Sequence, residues 1–170
     1  MVQEVRSLVE VKDLLDLHAP NYFSTFYWYE NLIKNVVSID NHKCLFICEF
    51  SENKKRFTMA PVKVMNQNGY CQIYSLTNYY SPIYKFIGNQ QKDYKLDGLM
   101  DCLNRADKKW GLFTIDSLDV DDCESIKSSL SFSKYPSYYT YHSANWYLPV
   151  LGRSYEEYFS ELSARVKNTV

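Results

Sequence analysis

The chain has 170 residues, a length that favours one domain and is sufficient to bury a hydrophobic core. Hydrophobic residues make up 46% of it and charged residues 23%, a balance typical of folded globular proteins and not of disordered ones. The net charge of -1 provides no field that would attract nucleic acid, and no apolar run approaches the length of a membrane span.

The cysteine and histidine patterns predict neither disulfides nor a zinc site. Five cysteines form an odd set without a C-x-x-C pair, and Cys44 and Cys48 fall on a predicted strand, where thiols usually serve as small core residues. The three histidines, His18, His42 and His142, lack the spacing of metal ligands. Since the first residues also lack a signal-peptide pattern, we expect reduced cysteines and a cytoplasmic location.

The N-terminal residues predict one strand followed by two helices. Residues 2–8 alternate weakly, as in a strand, and residues 9–18 place apolar side chains at helical spacing until Ala19-Pro20 interrupts it. Ser24 is a candidate N-cap for the second helix. The apolar face of this second helix is predicted to contain Phe26, Tyr29, Ile33 and Val36, with Trp28 and Leu32 beside it.

The next segment predicts a three-stranded meander, with strands at residues 43–50, 57–65 and 70–76. Residues 43–50 are apolar on both faces, as in a central strand, whereas Pro61 indicates that the second strand lies at an edge or contains a bulge. Asn68-Gly69 predicts a tight hairpin between the second and third strands, because both residues tolerate the positive φ that such a turn needs.

Helices and strands alternate in the C-terminal half. Helices are predicted at residues 91–106 and 119–130, and strands at 110–116 and 138–147, the last with Tyr139, Tyr141 and Tyr147 on one face. A capping box from Ser154 to Glu157 begins a final helix. This pattern becomes basic and reaches Val170 without a stop signal, so we expect the chain to be part of a longer protein.

Sixteen tyrosines give the chain a high aromatic content. Three of them lie in the stretch LTNYYSPIY (residues 76–84), which is prominent because tyrosine combines an apolar ring with a hydroxyl. In one interpretation this stretch lines a cleft for a polar, sugar-like acceptor. In the other, an asparagine and Pro82 fix a turn while the tyrosines pack against the sheet. The candidate substrate-binding residues are Asn78, Tyr79, Tyr80, Ser81, Tyr84 and Trp28.

Two further groups have both a chemical and a structural interpretation. The acidic cluster after the strand at 110–116 could bind a cation, or form a solvated loop whose aspartate caps the next helix. The cluster consists of Asp116, Asp119, Asp121 and Asp122. His142 could act as a base in its tyrosine-rich strand, or serve as a structural histidine.

The predicted order, β-α-α-β-β-β-α-β-α-β-α, resembles the GNAT acyltransferase fold, an α/β (α+β) fold with a mixed, largely antiparallel sheet flanked by helices. Three blocks are similar to the FemAB-related, CelD-like acyltransferases: NYFSTFYW (residues 21–28), LTNYYSPIY (residues 76–84) and SYEEYF (residues 154–159) continuing to Arg165. That family has two GNAT-like domains in tandem, and the second usually carries the acyl-donor site. The resemblance implies that residues 1–150 are an N-terminal GNAT-like domain and that residues 151–170 begin a helix leading to a second domain.

One departure from the family pattern bears on function. A working GNAT domain holds the pyrophosphate of acyl-CoA on the backbone amides of a Q/R-x-x-G-x-G/A loop after its fourth strand. The corresponding residues 76–91 contain a single glycine, Gly88. The comparison with the family therefore implies that acyl-CoA binds in the second domain, and that this chain has no catalytic, cofactor-binding or metal-binding residues of its own.

The resulting expectation is a non-catalytic N-terminal half of a bacterial N-acetyltransferase or other acyltransferase. It would pack on a C-terminal catalytic GNAT domain and help to shape the site for a small-molecule acceptor. An alternative from another class is an aromatic-rich carbohydrate- or peptide-binding module without catalysis. A third alternative, a divergent transferase that uses aminoacyl-tRNA, is disfavoured by the near-neutral charge.

Overall fold

The computed structural model of the chain describes residues 2–37, 42–53, 55–67, 69–89, 110–130, 136–141, 152 and 154–162. The chain divides into two compact units, Met1–Thr140 and Tyr141–Val170. The helix predicted at residues 91–106 and the domain boundary predicted at residue 150 lie outside the described residues. Among the helices in the described ranges, none is long and apolar enough to cross a membrane.

The first unit contains one sheet flanked by helices. Its strands are β1 (Val2–Arg6), β2 (His42–Phe50), β3 (Phe57–Gln67), β4 (Tyr70–Ser75), β5 (Ile87–Gly88) and β6 (Trp110–Thr114). Its helices are α1 (Lys12–His18), α2 (Phe26–Asn35) and α3 (Val120–Leu130), with single 3-10 turns at Val9–Val11 and Tyr22–Ser24.

The strands lie in the order β1-β2-β3-β4-β6, and the short strand β5 pairs with β3. All of these pairs are antiparallel except β4 with β6, which is parallel. The β3–β4 hairpin turns at Gly69, whose φ of +80° is the positive value that the predicted turn requires. The fold is therefore mixed α/β with a mostly antiparallel sheet, as predicted at this coarser level.

Both faces of the sheet are buried. The core on the α1–α2 face consists of Val11, Leu15, Phe26, Tyr29, Leu32, Phe46, Cys48, Phe50, Phe57, Met59, Leu76 and Ile87. The core on the opposite face consists of Ile47, Ala60, Val62, Val64, Cys71, Ile73, Tyr84, Phe86 and Ile126, the last from α3. Because side chains alternate along a strand, β2 contributes to both cores, which confirms its prediction as a central strand. Each fully buried large apolar side chain stabilises the fold by about 1.5–3 kcal/mol.

Pro61 lies in the interior strand β3, without a bulge in its pairing to β2, so the prediction of an edge strand or a bulge was wrong. The amide of Leu76 donates to the Pro61 carbonyl oxygen at 3.0 Å. The nitrogen and carbonyl of one strand residue face the same side, so the Pro61 nitrogen also faces that edge of β3. There β4 pairs only from Val62 onward and β5 pairs with Thr58 and Met59, so Pro61 lies between the two ladders and bonds there through its carbonyl alone. The missing N–H therefore leaves no strand partner unpaired.

The N-cap of α2 is Thr25 and not the predicted Ser24. The Thr25 hydroxyl oxygen accepts a hydrogen bond from the Trp28 amide at 3.3 Å. Ser24 instead belongs to the preceding 3-10 turn, where it is buried and its hydroxyl donates to Asn21 Oδ1 at 3.2 Å. Because the helix ends at Asn35, Val36 follows the last turn and is not part of the predicted apolar face.

The strand predicted at residues 138–147 is wrong in its first part. Residues 136–141 are exposed and have no regular secondary structure, and residues 142–147, with His142, lie outside the described range. The Tyr139 hydroxyl accepts a hydrogen bond from Lys127 Nζ at 3.2 Å. The alternation of tyrosines alone does not form a strand, because a strand needs a neighbouring ladder to satisfy its backbone.

The second unit begins its helix α4 (Tyr155–Glu161) at the predicted capping box. The Glu157 amide donates to Ser154 Oγ at 3.2 Å, and the Ser154 amide donates to Glu157 Oε2 at 2.8 Å. The rings of Tyr155 and Phe159 stack one turn apart with centroids separated by 5.6 Å. The prediction of this helix start is confirmed.

Candidate functional site

The stretch after β4 meets the stretch after β6 at one edge of the sheet. Because β4 and β6 are parallel, their carboxyl ends lie at the same edge, which is where open α/β sheets usually bind ligands. The Tyr84 amide donates to the Ser117 carbonyl at 2.8 Å, and the Asp116 amide donates to Ser75 Oγ at 2.9 Å. These bonds fix the two ends of the stretch at residues 76–84 to the segment that follows β6.

Asn78 organises the turn that follows β4. Its Oδ1 accepts hydrogen bonds from the Tyr80 amide at 2.9 Å and from Ser81 Oγ at 3.0 Å, and its carbonyl accepts from the Ser81 amide at 3.0 Å. This pattern is an Asx turn, in which a short side chain replaces a backbone acceptor. Lys63 Nζ adds a bond to the Thr77 carbonyl at 3.1 Å, so the turn has a fixed shape.

A cavity of about 310 Å³ lies between this turn and α2. Its lining consists of Trp28, Asn31, Leu32, Val36, Asn78 and Tyr80. Leu32 is 2% exposed and belongs to the buried end of the cavity, whereas Val36 and Tyr80 are 52% and 71% exposed and belong to its rim. The volume lies at the lower end of the range for ligand sites, about 300–1,000 Å³, so the cavity fits a small molecule.

One residue of the cavity lining, Trp28, contains a buried hydrogen-bond donor. The Trp28 indole nitrogen Nε1 is buried and has no acceptor among the residues that the structure describes. The indole itself is fixed edge-to-face against Tyr22 and Phe23, with ring centroids 5.6 Å and 5.0 Å away. A buried N–H of this kind is rare in folded proteins, since leaving it unpaired is unfavourable.

The structure separates the six predicted site residues into two groups. Trp28, Asn78 and Tyr80 line the cavity together, although Trp28 lies about fifty residues before the other two in the sequence. Ser81 and Tyr84 are each 2% exposed, and the Tyr84 hydroxyl donates to the Pro61 carbonyl at 3.1 Å. Burial raises the pKa of Tyr84 well above its usual value, so its hydroxyl stays protonated. The sixth residue, Tyr79, is 95% exposed and does not belong to the lining.

Sequence reasoning did not include three lining residues, Asn31, Leu32 and Val36. A signal for Asn31 was present, because it lies three residues after Trp28 and therefore on the same side of the helix. Its Oδ1 accepts a hydrogen bond from Asn35 Nδ2 at 2.7 Å.

Comparison with protein-family models, with curated proteins and with solved structures found no match to this chain.

The acidic cluster after β6 is engaged by a lysine. Lys85 Nζ forms ion pairs with Asp119 and with Asp122, the latter at 2.8 Å. Asp119 Oδ1 also accepts from the Asp122 amide at 2.8 Å and so caps α3. Burial opposes ionisation of Asp119, but the hydrogen bonds and the charge of Lys85 outweigh it and lower the pKa of Asp119. Among the described residues no group of side chains has the arrangement of a metal site.

Gly88 has a structural role in β5. It pairs with Thr58, and a Cβ at this position would overlap the backbone carbonyl oxygen of Phe57. The Asn89 side chain extends the same contact, because its Oδ1 accepts from the Phe57 amide at 3.0 Å and its Nδ2 donates to the Lys55 carbonyl at 2.7 Å. The glycine in this segment thus allows close approach of two strands.

Proposed function

We propose that the chain is a GNAT-like domain that does not bind acyl-CoA itself and that contributes an acceptor pocket to an acyltransferase. The pocket is the cavity between α2 and the Asn78 turn. The observation that carries the proposal is the position of this cavity, directly after β4, where an active GNAT domain would hold its glycine-rich phosphate loop.

The sheet supports the family assignment at the level of element order. A strand and two helices precede a three-stranded antiparallel meander, and a crossover then leads to a further strand and helix. These described elements follow one another as they do in the GNAT-like order proposed here, whose next helix falls on residues outside the described ranges. The two-residue strand β5 is an addition to that order.

The packing of Gly88 supports a domain that does not bind acyl-CoA. A phosphate cradle needs backbone amides that face outward on residues free of side chains. Gly88 is instead packed against Phe57 in a strand pair. The turn before it contains Asn78, Tyr80 and Ser81, whose side chains and amides bond to one another.

The cysteines of the described residues favour a reducing location. The described cysteines, Cys44, Cys48, Cys71 and Cys123, form no disulfides with one another. Burial raises the pKa of the Cys44 thiol, which makes it less reactive. We infer a cytoplasmic protein on this basis.

Calorimetric titration of the chain with acetyl-CoA tests the first half of the proposal. We expect no binding heat at millimolar ligand, because the described residues that follow β4 form no glycine-rich cradle for the pyrophosphate. Saturable binding in the micromolar range would contradict the proposal.

Steady-state kinetics of the full-length gene product test the second half. Tyr80→Ala is expected to raise the KM for the acceptor several-fold and to leave the KM for the acyl donor unchanged. The matched control is Tyr79→Ala, which removes the neighbouring ring outside the cavity. Equal effects of the two substitutions on the acceptor KM would contradict a role for the cavity.

The second candidate is a binding module without catalysis. It is favoured by the fact that one helix and one turn complete the cavity lining within the described residues. A gene product that binds a carbohydrate in this cavity and transfers no acyl group to it would support this candidate over the first.

A further inference from the structure

The side chain of Trp28 presents only carbon to the cavity. Its indole nitrogen is buried and is not accessible to a molecule in the cavity, and the other atoms of this side chain are all carbon. Edge-to-face contacts with Phe23 and Tyr22, with ring centroids 5.0 Å and 5.6 Å away, fix the indole. Trp28 therefore contributes an apolar surface whose position is set before any ligand binds.

The side-chain oxygens of the two amides in the lining are already engaged within the protein. Asn78 Oδ1 accepts hydrogen bonds from the Tyr80 amide at 2.9 Å and from Ser81 Oγ at 3.0 Å. Asn31 Oδ1 accepts from Asn35 Nδ2 at 2.7 Å. A ligand rich in hydroxyl groups would therefore exchange its hydrogen bonds to water for few acceptors in the cavity, which is unfavourable.

The other described lining residues are aliphatic or aromatic. Leu32 forms the buried end of the cavity, whereas Val36 and Tyr80 form its exposed rim. The described lining residues carry no charge, so a charged group in the cavity would lose its hydration without meeting a charge of opposite sign. Charge complementarity thus favours an uncharged occupant.

The size of the cavity restricts this occupant further. An apolar cavity of about 150 Å³ is sufficient for a benzene molecule. The cavity between α2 and the Asn78 turn has a volume of about 310 Å³, so a six-membered aromatic ring with a short substituent fits into it. The rings of Trp28 and Tyr80 favour an aromatic occupant over an aliphatic one, because aromatic rings attract one another in offset and edge-to-face arrangements.

We propose that the cavity binds an uncharged aromatic ring, so that the ligand of this chain belongs to the class of small aryl compounds. This inference rests on the proposed function, since it names the class of acceptor for the same cavity. The ring lies between Trp28 and Tyr80. Because the described lining is uncharged and mostly apolar, the polar groups of the ligand extend past the rim, including the group that accepts the acyl chain.

Nuclear magnetic resonance of the whole chain with labelled methyl groups tests the ligand class. The probes are benzyl alcohol and cyclohexylmethanol, which differ in the aromaticity of the ring, together with benzoate and methyl glucopyranoside. We expect benzyl alcohol to shift the methyl signals of Leu32 and Val36 but not those of Leu17, which is exposed on α1. Titration is expected to show about fivefold weaker binding of cyclohexylmethanol, and at least about tenfold weaker binding of the other two probes.

Tyr80→Leu tests the aromatic part of the rim. Leucine keeps an apolar side chain but removes the ring, so the preference for benzyl alcohol over cyclohexylmethanol is expected to fall to about twofold or less. The matched control is Tyr79→Leu, which removes the neighbouring ring outside the lining and should keep the wild-type preference. Equal preferences in the two variants would contradict the placement of the ligand ring beside Tyr80.

Val36→Asp tests the argument from charge. Val36 follows the last turn of α2 and is exposed, so the substitution adds a carboxylate to the rim without reducing the buried core. We expect benzyl alcohol to bind more weakly and benzylammonium to bind more tightly, each by about threefold or more. Val9→Asp adds the same charge at an exposed position outside the lining and should leave both affinities unchanged. Equal effects of the two aspartates would contradict binding at this rim.

The ligand class has its own contradicting results. Equal affinity for benzyl alcohol and cyclohexylmethanol would overturn it, and so would benzoate or methyl glucopyranoside binding as tightly as benzyl alcohol. The absence of any shift of the Leu32 and Val36 methyl signals at millimolar benzyl alcohol would overturn the site itself. Failure of the proposed function is distinguishable from these results, because it is indicated by binding of acetyl-CoA to the chain and not by any outcome with the aryl probes.

Discussion

The two walls of the cavity are stabilised by different forces. The helical wall, α2, is held by apolar packing: Leu32 is buried in the core, and the Tyr29 ring contacts Phe46 of β2 edge-to-face at 5.4 Å. The turn wall, residues 77–81, is held by hydrogen bonds centred on Asn78 and Thr77. A substitution of a polar residue can therefore change the turn wall without reducing the apolar surface buried in the core. The helical wall, in contrast, depends on that buried surface for its stability.

Leu32→Ala tests the dependence of the helical wall on packing. We expect the free energy of unfolding to fall by about 2–5 kcal/mol, because a buried leucine is replaced by a cavity. Urea denaturation followed by circular dichroism measures this change. Leu17→Ala makes the same substitution at a position that is 76% exposed on α1, and is expected to change stability by no more than about 0.5 kcal/mol. Similar losses in both variants would contradict the packing argument.

Gly88→Ala tests the close backbone approach that anchors the chain beyond the turn wall. The added methyl group meets the Phe57 carbonyl oxygen, so β5 must shift, and we expect a loss of about 1–3 kcal/mol by denaturation. Gly111→Ala is the control in β6, where a Cβ would lie 3.7 Å from the Tyr70 side chain in ordinary contact. A control variant less stable than Gly88→Ala would refute this account.

Tyr84→Phe tests the hydrogen bonding near the turn wall. Loss of the bond to the Pro61 carbonyl is expected to cost about 0.5–1.5 kcal/mol, since that oxygen keeps its bond from the Leu76 amide. Thermal denaturation of Tyr84→Phe and Tyr79→Phe compares a buried with an exposed hydroxyl in one stretch. We expect Tyr79→Phe to unfold at the same temperature as the wild type. If Tyr79→Phe were less stable than Tyr84→Phe, the buried hydroxyl would not be the stabilising one.

Lys85→Met is expected to alter the pH dependence of stability. Asp119 has its pKa lowered from 3.8, so its stabilising contribution is present above pH 3.8 and is lost as the pH falls through the folded-state pKa. Without Lys85 that decrease should become smaller. Partly exposed ion pairs contribute only about 0–1 kcal/mol, which makes this the smallest effect. Urea midpoints measured between neutral pH and pH 3 provide the readout.

Lys55→Met changes the net charge equally and does not remove a partner of Asp119. It should therefore keep the wild-type dependence on pH. Identical acid sensitivity of the Lys85 variant and the wild type would contradict a role for the pair.

The sequence predicted the individual strands and helices better than it predicted which of them contact one another. The apolar run 43–50 identified a strand buried on both faces, because such a pattern has a local physical cause. Trp28 and Tyr80 were selected as aromatic residues, but nothing local indicates that an α2 side chain meets the turn after β4. β5 was missed because two residues carry no periodicity.

Within the tyrosine-rich stretch, buried and exposed residues could not be separated from the sequence. Tyr80 lies on the cavity rim and Tyr84 lies in the core, although both are tyrosines of one irregular segment. Their difference arises from long-range bonds to Pro61 and Ser117, which the residues of the stretch do not encode by themselves.

Pro61 ends the pairing between β3 and β4. Its carbonyl oxygen accepts a hydrogen bond from the Leu76 amide, and proline has no N–H to return a second one, so the ladder stops there and the chain departs from the sheet. Pro61 is buried and its carbonyl also accepts from the Tyr84 hydroxyl, so β3 presents no open strand edge at this residue to which an extended peptide could add. One proline thus sets the point at which the chain leaves the sheet and begins the wall of the cavity.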